Sequence, residues 1–599
     1  MKKKRLHLTT LLCLLFAVML FTTGCKNIGE ELVYYNVTFD SDGGSDVPAQ
    51  TVESGKTAVE PRSPTKQGHN FVAWYNGNTE FNFKTPVTSD LTLKAKWTPT
   101  DSPDDGEGRG DNDSDTGEGS EQDDTTGSGN TTNPDNKDDG DIDDTPAACE
   151  VSASQLGTLT SADLAKDEFG DTYTIRLVGA WTNDELRAFG SVLRNICDPW
   201  YTEAPPNKHI TLDMSKTTGI TKLYGEIIEK DHEEDGTLSE CTALTAVRLP
   251  STLKTIDEYA FSGCISLKSI MIPDSVTNIG NFAFTMCHSL ESVTIGSGAI
   301  SIGSGPFINC SSINSITVAS GNPKYHSKDN CLIETATKIV VAGCANSKIP
   351  SDVTAIGDCA FAYCESLTSI TIPNTVTSIG DYAFADCFSL ANVTMGNGLK
   401  TIGEGAFVEC VALTNVTIPD SVTSIKGGAF GECSLENIII PKNVKYISIG
   451  AFYDCSSTLK SITVAAGNEN YYSEGNCLIE KSTGTLITGC ANGKIPNSVK
   501  IIAESAFSWC NSLENIEIPD SVTSIEQYAF SNCTSLKTIT IGSGLQRIGH
   551  DVFGDCNKIE TIIFKGTKTA WEAIDKDLDW HDTIPATKVT CTDGEVDFL

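Results

Sequence analysis

"IPDSVTSI" stands at residues 418–425 and again, letter for letter, at 518–525; a near copy, "IPDSVTNI", stands at 272–279. An active site is rarely spelled three times in one chain. The octet reads instead as a corner that a scaffold makes repeatedly. Ile418 ends a strand pointing inward, and Pro419 cannot donate to a strand ladder and stops it. Asp420 and Ser421 favour a turn, after which Val422 and Ile425 point back inside.

The corner belongs to a longer period. The phrase Ala-Phe-x-x-Cys, or a near variant, recurs with its Phe at 261, 284, 307, 361, 384, 407, 430, 452, 507, 530 and 553. Most steps are 23 residues, one is 22, and two are long, at 54 and 55. A period near 23 marks a leucine-rich solenoid. In the coil from Leu367 the inward set is Leu367, Ile370, Ile372, Val376, Ile379, Ala383, Phe384 and Cys387, and Leu390 restarts it. The apolar surface of one such coil does not offset the entropy of ordering it, so only a stacked array is stable. The full phrase, L-x-x-I-x-I-P-x-S-V-x-x-I-G-x-x-A-F-x-x-C, resembles the Treponema-type, or BspA-like, leucine-rich repeat. That resemblance implies a bacterial surface protein engaged in adhesion.

The two long steps carry matching inserts, "NCLIETATKIVVAGCANSKIP" (330–350) and "NCLIEKSTGTLITGCANGKIP" (476–496). Each reads as a β-hairpin projecting from the solenoid edge. In an exported protein the pairs Cys331/Cys344 and Cys477/Cys490 are candidate disulfides. Of the 22 cysteines, twelve lie in the repeat phrase, at 241, 264, 287, 310, 364, 387, 410, 433, 455, 510, 533 and 556. They read as a column of reduced, buried thiols acting as small hydrophobes.

Upstream, the chain changes character. Lys2, Lys3, Lys4 and Arg5 precede an apolar stretch from Leu11 to Phe21 that is too short for a normal membrane span. Thr22-Thr23-Gly24-Cys25 follows and resembles a bacterial lipobox, with Thr22 where Leu is usual. It implies lipidation of Cys25 and anchoring at the bacterial outer membrane or cell surface; an ordinary signal peptide is the other reading. Residues 33–99 alternate apolar and polar positions between turn signals. Val37-Thr38-Phe39-Asp40, Gly43-Gly44, Phe71, Trp74-Tyr75, Phe81-Asn82-Phe83, Pro86-Val87-Thr88 and Leu91-Thr92-Leu93 with Trp97 resemble the Listeria–Bacteroides repeat, a small β-grasp-like extracellular module. Residues 100–147 hold 17 Asp and Glu against Arg109 and Lys137, and read as a disordered acidic linker.

The expected fold is mostly β. A signal peptide (1–24), the β-grasp-like module (33–99) and the linker (100–147) precede an N-terminal cap with irregular first coils (148–240). The leucine-rich-repeat solenoid with its two hairpin inserts (241–565) and a C-terminal cap (566–599) follow. In the last of these, Thr569 and Glu572 form a capping box that starts a short helix.

Little supports catalysis. The eight histidines are scattered, and there is no H-E-x-x-H, G-x-S-x-G, G-x-G-x-x-G or P-loop. His581 beside Asp579 and Asp582 reads as a solvated surface group. No metal or cofactor is expected. A formal net charge of −36 argues against nucleic acid or an anionic membrane as partner, so membrane attachment is by the lipid anchor only. Asp111-Asn112-Asp113-Ser114-Asp115 hints at a calcium loop, but Thr116 and Gln122 break its pattern. Arg109-Gly110-Asp111 resembles the tripeptide recognised by integrins; the alternative is chance in a Gly/Asp-rich tract.

The candidate binding face lies between the inward strand residues: Ser369, Thr371, Asn392, Thr394, Asn415, Thr417, Asn437, Ile439, Ser461 and Thr463. Small hydrogen-bonding groups there either form a protein-binding surface or simply suit a crowded sheet. The function that the resemblance to the BspA-like family implies is adhesion to host matrix proteins such as fibronectin or fibrinogen, to host cells, or to other bacteria, without catalysis. The alternative is a structural or self-associating surface protein with no host ligand.

Overall fold

A coil of the array lays down one four-residue strand, such as Ser369–Ile372, and turns at its proline. It then lays down a two-residue strand, such as Ser378–Ile379, and closes through a knot of turns carrying Ala-Phe-x-x-Cys. The computed structural model describes residues 34–99 and 149–597, apart from short interruptions. The chain divides into two units, residues 1–136 and 137–599.

In the first unit, five strands form one mixed sheet. Tyr34–Asp40 and Leu91–Pro99 run parallel at its centre, flanked antiparallel by Gln50–Glu53 and His69–Asn76. Val37, Trp74, Val87 and Leu93 are buried beneath it.

In the second unit, strands stack in parallel. Ser269, Ser292 and Ser315 stand in register along the long-strand sheet, and Asn278 and Ser301 along the short-strand sheet. Cap strands Cys149–Ser152, Thr172–Ala180 and His209–Asp213 continue the same long sheet, so the expected cap is an extension of the array. All eight inward residues of the Leu367 coil are buried. At the corner, Val422 N donates to Pro419 O at 3.0 Å. The octet's aspartate adds a clamp between coils. Asp274 accepts from Ser297 N at 2.6 Å, and Asp520 accepts from Ser543 N at 2.7 Å, one coil further on.

The phenylalanines form stacked columns. Phe361, Phe384, Phe407, Phe430 and Phe452 lie 5.0, 5.2, 5.5 and 5.7 Å apart between successive centroids. The thiols do more than fill space. Cys387 Sγ donates to Phe361 O at 3.2 Å, Cys410 to Phe384 O at 3.2 Å and Cys433 to Phe407 O at 3.1 Å. Two of these carbonyls also accept from their own coil, Phe361 O from Cys364 N at 3.1 Å and Phe407 O from Cys410 N at 3.3 Å. Cysteine thus supplies a donor in an apolar column where a hydrocarbon would leave an acceptor position unfilled.

The inserts do not project. Tyr325–Lys328, Cys331–Glu334 and Ile339–Ala342 form an antiparallel meander whose last strand pairs in parallel with Ala355–Ile356, inside the short-strand sheet. The second insert repeats this with Tyr471–Glu474, Cys477–Glu480 and Thr485–Gly489. Each meander is a partition. Leu332, Ala342 and Cys344 pack into the core before it, and Cys331, Ile333 and Val340 into the core after it. The hairpin is apolar on both faces for that reason. Cys331 and Cys344 therefore enter different cores, as do Cys477 and Cys490, and all four are free thiols. The expected disulfides are not formed in the structure.

Side chains finish the interrupted ladders. Tyr325 OH accepts from Ile302 N at 3.0 Å, and Tyr471 OH from Ile447 N at 2.8 Å. Ser327 Oγ accepts from Val318 N and Ser473 Oγ from Val464 N. Gly343 lies flat under the first ring of the next column, where a Cβ would collide with Phe361. In the C-terminal cap the helix is Lys568–Glu572, and its N-cap is Thr567, whose side chain accepts from Ala570 N at 3.3 Å. Thr569 is inside the helix and Ala570 has no side-chain acceptor, so the expected Thr569–Glu572 capping box is not formed and Thr567 caps the helix alone.

Candidate binding surface

The long strands present alternate residues outward, as their period of two requires. Ser369, Thr371, Asn392, Thr394, Asn415, Thr417, Asn437, Ile439 and Thr463 are exposed, and Ser461 is half-buried. Ser369 sits opposite Asn392 and Thr371 opposite Thr394; Asn437 sits opposite Ser461 and Ile439 opposite Thr463. Part of the hydrogen-bonding capacity is used within the face, since Ser461 Oγ donates to Asn437 Oδ1 at 2.7 Å.

The face is not one unbroken band. The long-strand sheet ends at Ser315–Val318, resumes at Ser369–Ile372, ends again at Ser461–Val464 and resumes at Asn515–Ile518. Between Asn392–Met395 and Asn437–Ile440 it thins to a single bridge, Asn415 to Asn437. The coil that follows Asn415 is also the short one: Cys433-Ser434-Leu435 is one residue shorter than Cys410-Val411-Ala412-Leu413, which makes the single 22-residue step. Three apolar side chains stand out of the face, Met271 at 71 %, Ile439 at 61 % and Ile563 at 37 % exposure. They are the anchors most ready to be buried by a partner.

A second surface feature escapes sequence reasoning. Asp386, Glu409, Glu432 and Asp454 hold φ of 56°, 56°, 54° and 57° two residues after successive phenylalanines. Their amides run along the stack, Asp386 N to Val408 O at 2.9 Å and Glu409 N to Gly431 O at 3.0 Å. Carboxyls at repeat spacing repel one another. Burial and the neighbouring Glu409 push Asp386 up to about 8. Burial and Glu432 raise Glu409. Burial raises Asp454 to about 6 against the hydrogen bond from Ser508 Oγ, and Tyr453 OH donates to Glu432 Oε1 at 3.1 Å. The signal was the acidic residue recurring before each cysteine, which spacing alone does not show to be buried.

The sign of the linkage follows. Asp386 has a folded pKa near 8 against an ordinary 3.8, so the folded state holds its proton more tightly. Its stabilising effect is full below about 4 and is lost as pH rises through 8. Thermal melts of the solenoid are expected to show a lower midpoint at pH 8.5 than at pH 5.5. Asp386→Asn is expected to raise stability at pH 8.5 by about 1–3 kcal/mol and to flatten that dependence. An unchanged slope in the variant would contradict this.

Burial also pushes the Cys387 and Cys433 thiols up, and Cys410 to about 12, which keeps these three protonated and donating. Asp579 meets His550 rather than His581, with Nδ1 to Oδ2 at 2.5 Å, while the His581 ring stacks on Trp580. Asp582, Cys25, Arg109, Gly110 and Asp111 lie outside the described residues. Among the described residues no helix is long and apolar enough to cross a membrane. The duplicated splice residues Asn322/Tyr325 and Asn468/Tyr471 were also missed; the doubled phrase A-x-G-N-x-x-Y at 319–325 and 465–471 was their signal.

Comparison with known proteins gives a consistent picture. The Listeria–Bacteroides repeat domain matches residues 35–96. A protein of Evansella cellulosilytica described as a Gly-rich membrane protein is 45% identical over 71 residues, which is 11% of this chain and 8% of the relative. The chain thus spans under a tenth of that relative. A leucine-rich-repeat protein of Bacteroides ovatus is similar at 25% identity and a TM-score of 0.35, over 62% of this chain and 84% of its own. A leucine-rich cell surface protein of Faecalibacterium prausnitzii is similar at 26% identity and a TM-score of 0.33, over 61% and 92%. The BspA type leucine-rich-repeat region matches in six copies over residues 234–337, 342–459 and 488–574, just over half of the chain, and the chain belongs to that surface-associated family.

Proposed function

We propose that this protein is a non-catalytic adhesin, held to the bacterial surface through lipidated Cys25, that binds host matrix proteins, host cells or other bacteria through its long-strand face. The observation that supports this reading best is the face itself: exposed small polar residues, with Ile439 among them, on a floor fixed by fully buried columns of Ile, Phe and Cys. A rigid floor lowers the ordering cost of binding. Contacts repeated from coil to coil add as avidity.

The test uses the chain from Asn27 onward on immobilised fibronectin, fibrinogen and host cells. Saturable binding is expected. Thr371→Lys, Thr394→Lys and Thr417→Lys together are expected to weaken it by about tenfold or more, because three desolvated contacts are lost. All three positions point outward, so the melting midpoint is expected to stay within about 2 °C. Absence of binding, with concentration-dependent assembly of the purified chain, would favour the self-associating alternative.

A further inference from the structure

The long-strand sheet restarts after the second insert at Asn515–Ile518, and that strand pairs on one side only, with Thr538–Ile541. Ile518 O accepts from Gly542 N at 2.8 Å, so the peptide groups of Ile516 and Ile518 face the paired side. Alternation turns the N–H and C=O groups of Asn515 and Glu517 the other way, toward the insert. Among the described residues no backbone hydrogen bond reaches them from there.

The chain that occupies the preceding position is the segment 492–497, and it is tied back to the insert rather than to the strand. Lys494 N donates to Gly475 O at 2.8 Å, Gly493 N to Cys490 O at 2.7 Å, and Asn492 Nδ2 to Lys460 O at 3.4 Å. A groove of about 600 Å³ opens between this segment and the sheet, lined by Asn492, Lys494, Asn497, Asn515, Glu517 and Thr540. Glu517 is held by Lys565 at 2.5 Å. Lys494 is exposed at the groove wall. The first insert repeats the plan. Ser369–Ile372 is likewise the first strand of its sheet, and Lys348 N donates to Asp329 O at 3.0 Å as Lys494 N does to Gly475 O.

We infer that this groove docks an extended peptide segment of a partner protein, which adds as a strand to the edge Asn515–Ile518, with an acidic side chain of the peptide meeting Lys494. Two N–H and C=O pairs, two residues apart on a straight edge, match another extended backbone and no other common ligand. The lining, which also includes Ile495, Ile516 and Pro519, has no aromatic platform for a sugar ring. The inference deepens the adhesin reading by naming a ligand class and one docking place, and it rests on that reading.

The experiment uses the chain from Asn27 onward and an arrayed pool of random 12-residue peptides as probe. Binders are remade with alternate residues N-methylated, in both phases, and amide exchange of the protein is followed with each. One phase is expected to weaken binding by about tenfold and the other to leave it unchanged, because only one phase removes edge hydrogen bonds. Bound peptide is expected to slow exchange at the Asn515 and Glu517 amides, and Lys494→Glu to weaken acidic binders. No binders, equal loss in both phases, or protection elsewhere would overturn the inference, as would protection of those amides by a second copy of the chain alone. Matrix-protein binding measured alongside separates the two readings: its survival with no peptide effect sinks only the groove, and its loss sinks the adhesin.

Discussion

Phe407→Ala is expected to remove about 3–5 kcal/mol of stability, the range for deleting a fully buried aromatic. Phe407 has no exposure and is stacked on both sides, 5.2 Å from Phe384 and 5.5 Å from Phe430, with ring planes within 1° and 6°. Its neighbours cannot collapse into the space, because each is tied to the next coil by backbone bonds such as Phe384 N to Ala406 O at 2.8 Å. Loss of the ring also removes two stacking contacts, worth about 0.5–1.5 kcal/mol each. The damage is expected to stay local, since coils contact only their neighbours. Hydrogen exchange with urea titration checks both points. Protection is expected to fall within the core from Cys331 to Cys490 and to persist in the core from Cys477 to Cys591. A loss below about 1 kcal/mol, or uniform loss across all cores, would contradict the column as the axis of the array.

Asp213→Ala is expected to cost a similar amount, about 3–5 kcal/mol, for a different reason. Asp213 is 1% exposed and joins the cap strands Thr172–Ala180 and His209–Asp213 to the solenoid strand Leu244–Arg248. Its carboxylate accepts from Ser215 Oγ at 2.6 Å and Ser215 N at 3.0 Å, and meets Arg176 Nε at 3.1 Å and Arg248 Nη1 at 3.7 Å. Burial pushes its pKa up, but Ser215, Arg176 and Arg248 together hold it below the ordinary 3.8. Removing it leaves two guanidinium groups facing a buried gap. The pH sign is opposite to that of Asp386. The folded pKa is depressed, so this stabilisation is present above pH 4 and is lost as pH falls below it. Urea unfolding at pH 7 and pH 3 is expected to show a wild-type loss in acid that Asp213→Ala lacks. Asp213→Asn keeps an acceptor for Ser215 without the charge; it is expected to be intermediate in stability at pH 7 and, like Asp213→Ala, to lack the acid loss. Equal acid sensitivity in all three proteins would remove Asp213 as the anchor of the cap.

Much of the fold was legible because it is written many times. The positions of Leu367, Ile370, Ile372, Val376, Ile379, Ala383, Phe384 and Cys387 recur, and recurrence separates inward from outward residues without a structure. The outward strand residues were legible for the same reason. Direction was not. Spacing places Cys387 beside the core but does not show its thiol meeting Phe361 O, because that bond joins residues of different coils. Composition also hid the left-handed positions, since Tyr382 and Asp386 occupy them where glycine would have announced a turn. The inserts were misjudged because they occur only twice. An apolar hairpin such as Cys331–Glu334 with Ile339–Ala342 reads as an appendage until its two faces are seen to enter two cores. The thinning of the face at Asn415 was not legible from spacing, because the step from Asn392 to Asn415 is an ordinary 23 residues.

The central claim is that binding belongs to the solenoid face and not to the acidic segment before it. The most direct test compares residues 148–599 with residues 27–599, the latter with and without Asp111→Glu, on the same immobilised matrix proteins and cells. Saturable binding by 148–599, equal to that of the longer chain and indifferent to Asp111→Glu, is the predicted result. Binding by the longer chain alone, abolished by Asp111→Glu, would contradict it and leave the solenoid as a spacer.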